Sequence, residues 1–311
     1  MPFCITMGDP RGVGPDLILL THSKNSLPAE AVIYGFKSVF ESRSKLLGLS
    51  FDLNIIEPKT DCAPFDAPGL AAFSCLESAV NAMNSGLHDY MVTCPINKEA
   101  MQKDGFEFPG HTEYLAARTG TENYHMMLAG DALRVILVTI HEPISRLPSL
   151  ITESRVKSTI EAAIQTCRID YGITSPKIAV CGFNPHCGEG GLFGDEEEYF
   201  ITPAIKLLRN RYAADVLIDG PLSADTIFWK AMNGDYDVIV AMYHDQGLAT
   251  VKTIDFHTTV NITLGLPWVR TSPDHGTAFD IAGLGTVDTS SFLSAIKVGA
   301  QMSGNRKNGI H

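Results

Sequence analysis

Short runs of β-branched and apolar residues alternate with longer segments of helical period along the whole chain, and this alternation restricts the fold more than any other feature. The runs at 3–7, 31–34, 90–94, 134–140, 177–181, 215–218, 238–242 and 260–264 read as strands, and 15–22, 70–84, 152–171, 197–211, 224–232 and 290–302 read as helices. The helix that begins at Leu70 spaces Leu76, Ala79, Val80 and Met83 at i, i+3, i+4 and i+7, which puts them on one buried face. Strands separated by helices join through crossover connections, so the expected class is α/β, a largely parallel sheet with helices on both faces. The 311 residues suffice for one large domain or two interlocked lobes. No internal repeat, low-complexity tract or Pro/Gly/Ser linker separates independent domains.

Composition removes several classes of function. Acidic residues outnumber basic ones by 35 to 24, a net charge of −11, which argues against a nucleic-acid partner. With 45% hydrophobic and 19% charged residues the chain is too apolar for a disordered protein. The strongest apolar stretch, 133–140, is interrupted by Arg134 and is far shorter than the roughly 20 residues of a membrane span. The N-terminus has no basic region ahead of its apolar start and is expected to carry no targeting signal. Seven scattered cysteines, odd in number and without a C-x-x-C pair, read as reduced, mostly buried thiols of a cytoplasmic protein.

Common catalytic motifs are missing. The opening GDPRGVGP (8–15) follows a strand, but Leu17 stands where G-x-G-x-x-G needs its last glycine, and no Gly-Lys-Ser/Thr completes a P-loop. His141-Glu142 starts like H-E-x-x-H, but Ser145 takes the last position and Pro143 would break the required helix. There is no G-x-S-x-G elbow. A hydrolase or an ordinary Rossmann enzyme therefore has little support.

Histidines carry more information. His141, His186 and His244 each stand just beyond an expected strand, and parallel strands would point all three at one crevice. Three neutral imidazoles with an open position suit a catalytic divalent ion such as Zn²⁺; otherwise each caps its own strand separately. His111 lies in FPGHTE (108–113). His22, His88, His125 and His257 read as surface or structural, and His311 as a terminus. Lys252, Asn261 and Arg270 follow at intervals of 9 residues, a spacing that could bring adjacent segments to one mouth, where the cations would hold carboxylate or phosphate. The stretch DHGTAFDIAG (274–283) reads as a glycine-containing turn leading into a helix, able to cradle a nucleotide or to serve as a tight turn only.

Taken together, GDPRGVGP (8–15), PINKEA (95–100), FPGHTEYLA (108–116), MMLAGDALRV (126–135), GFNPHCGEGG (182–191), DGPLSADTIF (219–228), YHDQGL (243–248), VNITLGLP (260–267) and RTSPDHGTAFDIAG (270–283) resemble the 4-hydroxythreonine-4-phosphate dehydrogenase family of pyridoxal phosphate biosynthesis. The resemblance implies NAD⁺- or NADP⁺-dependent oxidation of 4-phosphooxy-L-threonine to a 3-keto acid that loses CO₂, giving 3-amino-1-hydroxyacetone 1-phosphate. It implies a homodimer with shared active sites and a divalent metal, Zn²⁺, Mg²⁺ or Co²⁺. It also implies a fold similar to the isocitrate and isopropylmalate dehydrogenases, two interlocked α/β lobes with a cleft, in which 1–311 form a single catalytic unit.

Carried over by position, the metal ligands fall on His141, His186 and His244, and the substrate contacts on His111, Thr112, Lys252, Asn261 and Arg270. Asp225, Asp245 and Lys252 take catalytic roles near the metal or the proton path, and Gly276, Thr277, Ala278 and Asp280 hold the cofactor. Two departures stand out. Cys187 replaces the usual Ala beside His186, and the 249–259 segment lacks the Pro before Lys252 and the Gly-rich turn after it. That segment borders the substrate, so related branches, acting on phospho-threonate-type acids or on cis-dihydrodiols, stay open as alternatives. A catalytically silent metal-binding scaffold is the non-enzyme alternative.

Overall fold

The computed structural model describes residues 2–309, so His311 lies outside the described residues. The chain divides into two compact units, one built from residues 1–122 and 266–303, the other from 123–265 and 304–311.

In the first unit β1 (Phe3–Thr6), α1 (Gly14–Ser23), β2 (Ala31–Tyr34), α2 (Lys37–Leu47), β3 (Ile55–Ile56), α3 (Pro68–Asn84), β4 (Tyr90–Thr93), α4 (Lys98–Lys103) and α5 (His111–Thr119) follow in order. After the second unit the chain returns as β11 (Val269–Pro273) and α11 (Ser290–Lys307). The strands pair in the order β3-β2-β1-β4-β11, all parallel. Four-residue strands buried at every position explain the unbroken apolar runs of β1 and β4, since a parallel sheet is covered on both faces. The expected helical stripe of α3 is present: Leu76, Ala79, Val80 and Met83 are buried and α3 packs on β1, β2 and β4.

The second unit runs β5 (His125–Ala129), β6 (Arg134–Leu137), α6 (Leu147–Leu150), α7 (Glu153–Gln165), β7 (Lys177–Cys181), α8 (Thr202–Arg211), β8 (Leu217–Leu222), α9 (Ala224–Met232), β9 (Val238–Ala241), α10 (His244–Asp255) and β10 (Val260–Leu264). β6, β9, β7 and β8 are parallel neighbours, whereas β5 pairs antiparallel with both β6 and β10. Strand alternation sorts the core. Val135, Leu137, Ala179, Cys181, Ile239 and Ala241, at every second position, pack with Ile227 and Phe228 of α9 and Leu248 and Val251 of α10. The intervening residues face α7, which packs on β6, β7 and β9.

Mixed α/β architecture is thus as expected. Strands β3, β5 and β11 and helices α2, α4, α5, α6 and α10 were not among the expected elements. The second unit is largely parallel, as expected, with β5 the antiparallel exception: residues 130–133 join β5 to β6 as a hairpin, with Gly130 N–H donating to Leu133 O at 2.8 Å. Among the described residues, no helix is long and apolar enough to cross a membrane. All seven cysteines are free thiols and five are buried, as expected.

The remaining histidines that the sequence marks as structural are bonded within the fold: His88 Nε2 lies 2.9 Å from Tyr34 Oη, and His22 Nε2 accepts from Asp52 N–H. His125, on β5, sits 3.2 Å from Ser158 Oγ, and burial pushes its pKa down to about 4. An imidazole depressed in the folded state stabilises the protein above its unfolded pKa of about 6.5 and loses that contribution as pH falls toward 4, about 3 kcal/mol in all. Between pH 7.5 and pH 5, urea unfolding of His125→Gln should therefore lose about 2 kcal/mol less than wild type loses. Equal losses would show that His125 does not enter the fold as a neutral group.

Candidate functional site

Three adjacent parallel strands, β6, β9 and β7, lead to the three strand-end histidines. His141 follows β6, His244 opens α10 directly after β9, and His186 follows β7. His141 and His244 come together: their ring centroids are 5.5 Å apart at an interplanar angle of 44°. They line a cavity of ≈ 160 Å³ with Ile140, Glu142, Tyr243 and Asp245. His244 Nδ1 lies 2.6 Å from Asp245 Oδ1, so the carboxylate fixes the ring and leaves Nε2 for a ligand, the usual arrangement behind a metal-binding imidazole. Two imidazoles on one tetrahedral ion, at bonds of about 2.0–2.1 Å, would have centroids roughly 5 Å apart, so this pair fits the expected metal.

His186 does not join them within the chain. It is exposed and does not line the cavity, and among the described residues no group of three or more His, Cys, Asp or Glu side chains is arranged to hold a metal. Residues 186–190 all have left-handed φ values, from 46° to 79°. Such a run is costly for the non-glycine residues His186, Cys187 and Glu189 and requires external support. That support is Glu197, which is buried: its Oε1 accepts from the Phe183 and Asn184 N–H groups at 2.7 Å, and its Oε2 from Asn184 Nδ2 at 3.0 Å. Gln246 ties the neighbouring strand end to the same turn, donating to Gly182 O at 2.8 Å and accepting from Met242 N–H at 2.7 Å. Neither Glu197 nor Gln246 was among the expected site residues. Glu197 belongs to the acidic run 195–198, and only the fold shows that it turns inward.

Asp225, in the first turn of α9, is exposed and raises the Cys187 thiol electrostatically, although burial is the larger cause of that shift. It therefore faces the His186 segment. Lys252, on α10, and Asn261, on β10, are half-buried in the second unit, while Arg270 belongs to β11 of the first. The equal spacing thus places one residue on each of three successive segments, a helix and two strands.

The first unit carries the other substrate candidates. Arg270 is only 4% exposed, and its Nε and Nη2 both donate to Thr93 Oγ1, at 3.1 and 2.6 Å. Burial pushes its pKa down to about 10, partly offset by the charge of Glu113, so it remains a cation at neutral pH. His111 and Thr112 open α5, whose N-cap is Gly110 and therefore lacks a side-chain cap. Burial, then the charges of Arg270 and Lys98, hold His111 well below the ordinary imidazole range. Its Nε2 is shielded from solvent and makes no hydrogen bond. Lys98 lies against Gly110, where a Cβ would stand 3.4 Å from its Cε. A buried arginine, a lysine and an unpaired imidazole nitrogen at a helix N-terminus form an arrangement that favours an anionic group.

Residues 274–285 form a turn after β11, and helix α11 starts only at Ser290. Gly276 is exposed and a Cβ there would meet nothing within 4 Å; Ala278 has φ 43°. Thr277 accepts at its carbonyl from Val13 N–H at 2.9 Å, and Phe279 and Asp280 are exposed. His275 Nε2 is a second shielded nitrogen without a hydrogen bond. Open backbone beside an unpaired imidazole nitrogen fits a cofactor-holding turn, and His275 was not among the expected cofactor residues.

Comparison with known proteins shows the family to which the chain is similar. A family model described as pyridoxal phosphate biosynthetic protein PdxA matches residues 30–299. The 4-hydroxythreonine-4-phosphate dehydrogenase of Desulfosudis oleivorans is 42% identical over 316 residues, covering 94% of this chain and 93% of that protein. The D-threonate 4-phosphate dehydrogenase of Cupriavidus necator is 43% identical over 327 residues, covering 97% of each. The crystal structure of 4-hydroxythreonine-4-phosphate dehydrogenase from Klebsiella pneumoniae superposes with a TM-score of 0.84 at 34% identity, covering 97% of this chain and 99% of that one.

Proposed function

We propose, starting from the fact that this chain belongs to the pyridoxal phosphate biosynthetic protein PdxA family, that it oxidises 4-phosphooxy-L-threonine with NAD⁺ or NADP⁺ in pyridoxal 5′-phosphate biosynthesis. The 3-keto acid then loses CO₂ to give 3-amino-1-hydroxyacetone 1-phosphate. The observation that carries this reading is the Arg270–His111 cluster, a buried cation beside an unpaired nitrogen in a protein of net charge −11. A buried guanidinium costs desolvation that an anionic ligand offsets. Arg270, His111 and Thr112 hold one anionic group; Lys252 and Asn261 bind the remaining polar groups. Asp225 and Asp245 stand on the proton path, and Gly276, Thr277, Ala278 and Asp280 hold the dinucleotide. The reading carries with it a cytoplasmic enzyme with the two-lobed fold of the isocitrate and isopropylmalate dehydrogenases.

His141, His186 and His244 are the ligands we assign to a divalent ion, Zn²⁺, Mg²⁺ or Co²⁺. Bound, it supplies Lewis acidity at the reacting hydroxyl. Because His141 and His244 meet within one chain and His186 stays apart, we assign the third ligand to the partner subunit of a homodimer with shared sites. A second reading, oxidation of D-threonate 4-phosphate, is favoured by the 43% identity to the Cupriavidus necator enzyme. Both substrates present a phosphate and a carboxylate, so the anion-binding cluster serves either; an uncharged dihydrodiol would leave it unused.

Lys252→Ala tests the placement of charges. If Lys252 meets the phosphate, the variant should lose at least tenfold in kcat/KM with the phosphorylated substrate and little with an unphosphorylated analogue, a charge-assisted bond being worth about 1.5–3 kcal/mol. If it meets the carboxylate, both substrates lose equally. Wild-type activity with both would remove Lys252 from the site.

A further inference from the structure

The expected cofactor turn does not stand alone; it is bolted to the glycine-rich loop after β1 by a buried ion pair. Asp16, at the start of α1, is 0% exposed, and Arg43, on α2, is 7% exposed. Arg43 Nη1 donates to Asp16 Oδ2 and, at 3.0 Å, to Gly12 O. Its Nη2 donates to Pro10 O at 3.2 Å and Arg11 O at 3.4 Å. The other carboxylate oxygen of Asp16 accepts the Gly283 N–H at 2.7 Å. One buried pair thus grips three consecutive carbonyls of the 8–15 loop with its cation and the far end of the 274–285 turn with its anion.

Two more contacts close the near end. Val13 N–H donates to Thr277 O, and Gly12 packs so tightly on Thr277 that a Cβ at 12 would stand 2.9 Å from that carbonyl oxygen. Arg11, itself held by Asp9, lies 5.3 Å above the ring of Phe279. A pair this deeply buried is expensive to desolvate, and breaking it by removing one partner leaves an uncompensated charge. Burial pushes the Asp16 carboxyl above its ordinary range even with Arg43 beside it. The pair is therefore better explained by the position it imposes than by the stability it adds.

We propose that Asp16 and Arg43 are positioning residues that hold the 276–280 turn in the conformation that binds the nicotinamide dinucleotide, by clamping it to the carbonyls of residues 10–12. Neither residue touches the reacting groups. This inference rests on the reading of Gly276, Thr277, Ala278 and Asp280 as the cofactor turn. Its consequence is selective: loosening the clamp weakens the dinucleotide, not the phosphorylated substrate.

The experiment is a fluorescence titration of NADH and NADPH binding to wild type, Asp16→Asn, Arg43→Lys, Gly12→Ala and Gly276→Asp, with kinetics on the same proteins. Asp16→Asn should weaken dinucleotide binding tenfold or more and raise KM for NAD(P)⁺ in step, while KM for the phosphorylated substrate and kcat at saturation stay within about twofold. Arg43→Lys, which keeps the charge but loses the fork, should weaken it less than Asp16→Asn. Gly12→Ala displaces Thr277 without removing a buried charge and gives the same selective loss should Asp16→Asn fail to fold. Gly276→Asp places a carboxylate on the open side of the turn and abolishes binding. Unchanged dinucleotide affinity in folded Asp16→Asn and Gly12→Ala, with binding lost in Gly276→Asp, would overturn the clamp and leave the cofactor turn standing. Unchanged affinity in Gly276→Asp as well would overturn the cofactor reading and the clamp with it. Equal losses for dinucleotide and substrate would reduce the pair to a structural element and overturn the proposal.

Discussion

Alanine at His141 or His244 should lower kcat/KM by about a hundredfold or more and remove bound divalent metal in the same proportion, because even groups that only orient a metal ligand are worth 10- to 100-fold. Metal content by elemental analysis of the purified protein checks this separately from activity. His186→Ala should do the same, but through the other chain. In a site made of His141 and His244 from one subunit and His186 from its partner, a His141→Ala chain paired with a His186→Ala chain leaves one intact site per mixed dimer. Random mixing would then restore about a quarter of wild-type activity. Mixing His141→Ala with His244→Ala should restore none, since the two rings lie 5.5 Å apart on one chain and every site would lack one of them. Full metal occupancy in all three single variants would refute the metal assignment; recovery in the second mixture but not the first would refute the division of ligands between subunits.

The other large effect concerns Arg270. Arg270→Lys keeps a positive charge but loses the planar fork whose Nε and Nη2 both reach Thr93 Oγ1, so the lysine cannot be held in the same direction. The expected loss in kcat/KM is tenfold or more, from about 1.5–3 kcal/mol for a charge-assisted bond. A second signature distinguishes a buried binding cation from a surface charge. The surroundings pull the arginine from 12.5 to about 10. The same burial would bring a lysine from about 10.4 to roughly 8. An anion-binding cation works only while protonated, so its contribution is lost as pH rises through its pKa. Above about pH 8 the lysine variant should lose affinity for the phosphorylated substrate that wild type keeps to about pH 10. Wild-type kinetics in Arg270→Lys, with no alkaline loss, would mean that Arg270 braces β4 and β11 and binds nothing.

The fold class was legible because periodicity is local. The four residues of β1 and the stripe of α3 announce themselves without knowledge of the rest of the chain. β5 was not, since HMMLA reads as an apolar run of no definite direction and becomes antiparallel only through the tight link to β6. Short β3, two residues long, offers no period at all. In the site, strand-end placement brings His141 and His244 together because β6 and β9 run side by side, which leaves their ring centroids 5.5 Å apart. Spacing could not foresee that His186 would sit on a left-handed turn away from them, since the turn at 186–190 is braced by Glu197, eleven residues beyond His186. Nor could it foresee the Asp16–Arg43 pair, whose members are 27 residues apart on two different helices. Those residues act through tertiary contact, and nothing in the local pattern around them distinguishes them from solvated charges.

The most direct measurement is NAD(P)H formation, followed by absorbance, when the purified protein receives NAD⁺ or NADP⁺, a divalent metal and, in parallel, 4-phosphooxy-L-threonine, D-threonate 4-phosphate and a cis-dihydrodiol. The account predicts metal-dependent turnover that is highest with 4-phosphooxy-L-threonine, abolished by chelation and restored by adding metal back, with negligible rates on the dihydrodiol. Faster turnover of D-threonate 4-phosphate would transfer the enzyme to the second reading, and absence of turnover with both phosphorylated substrates would contradict the account.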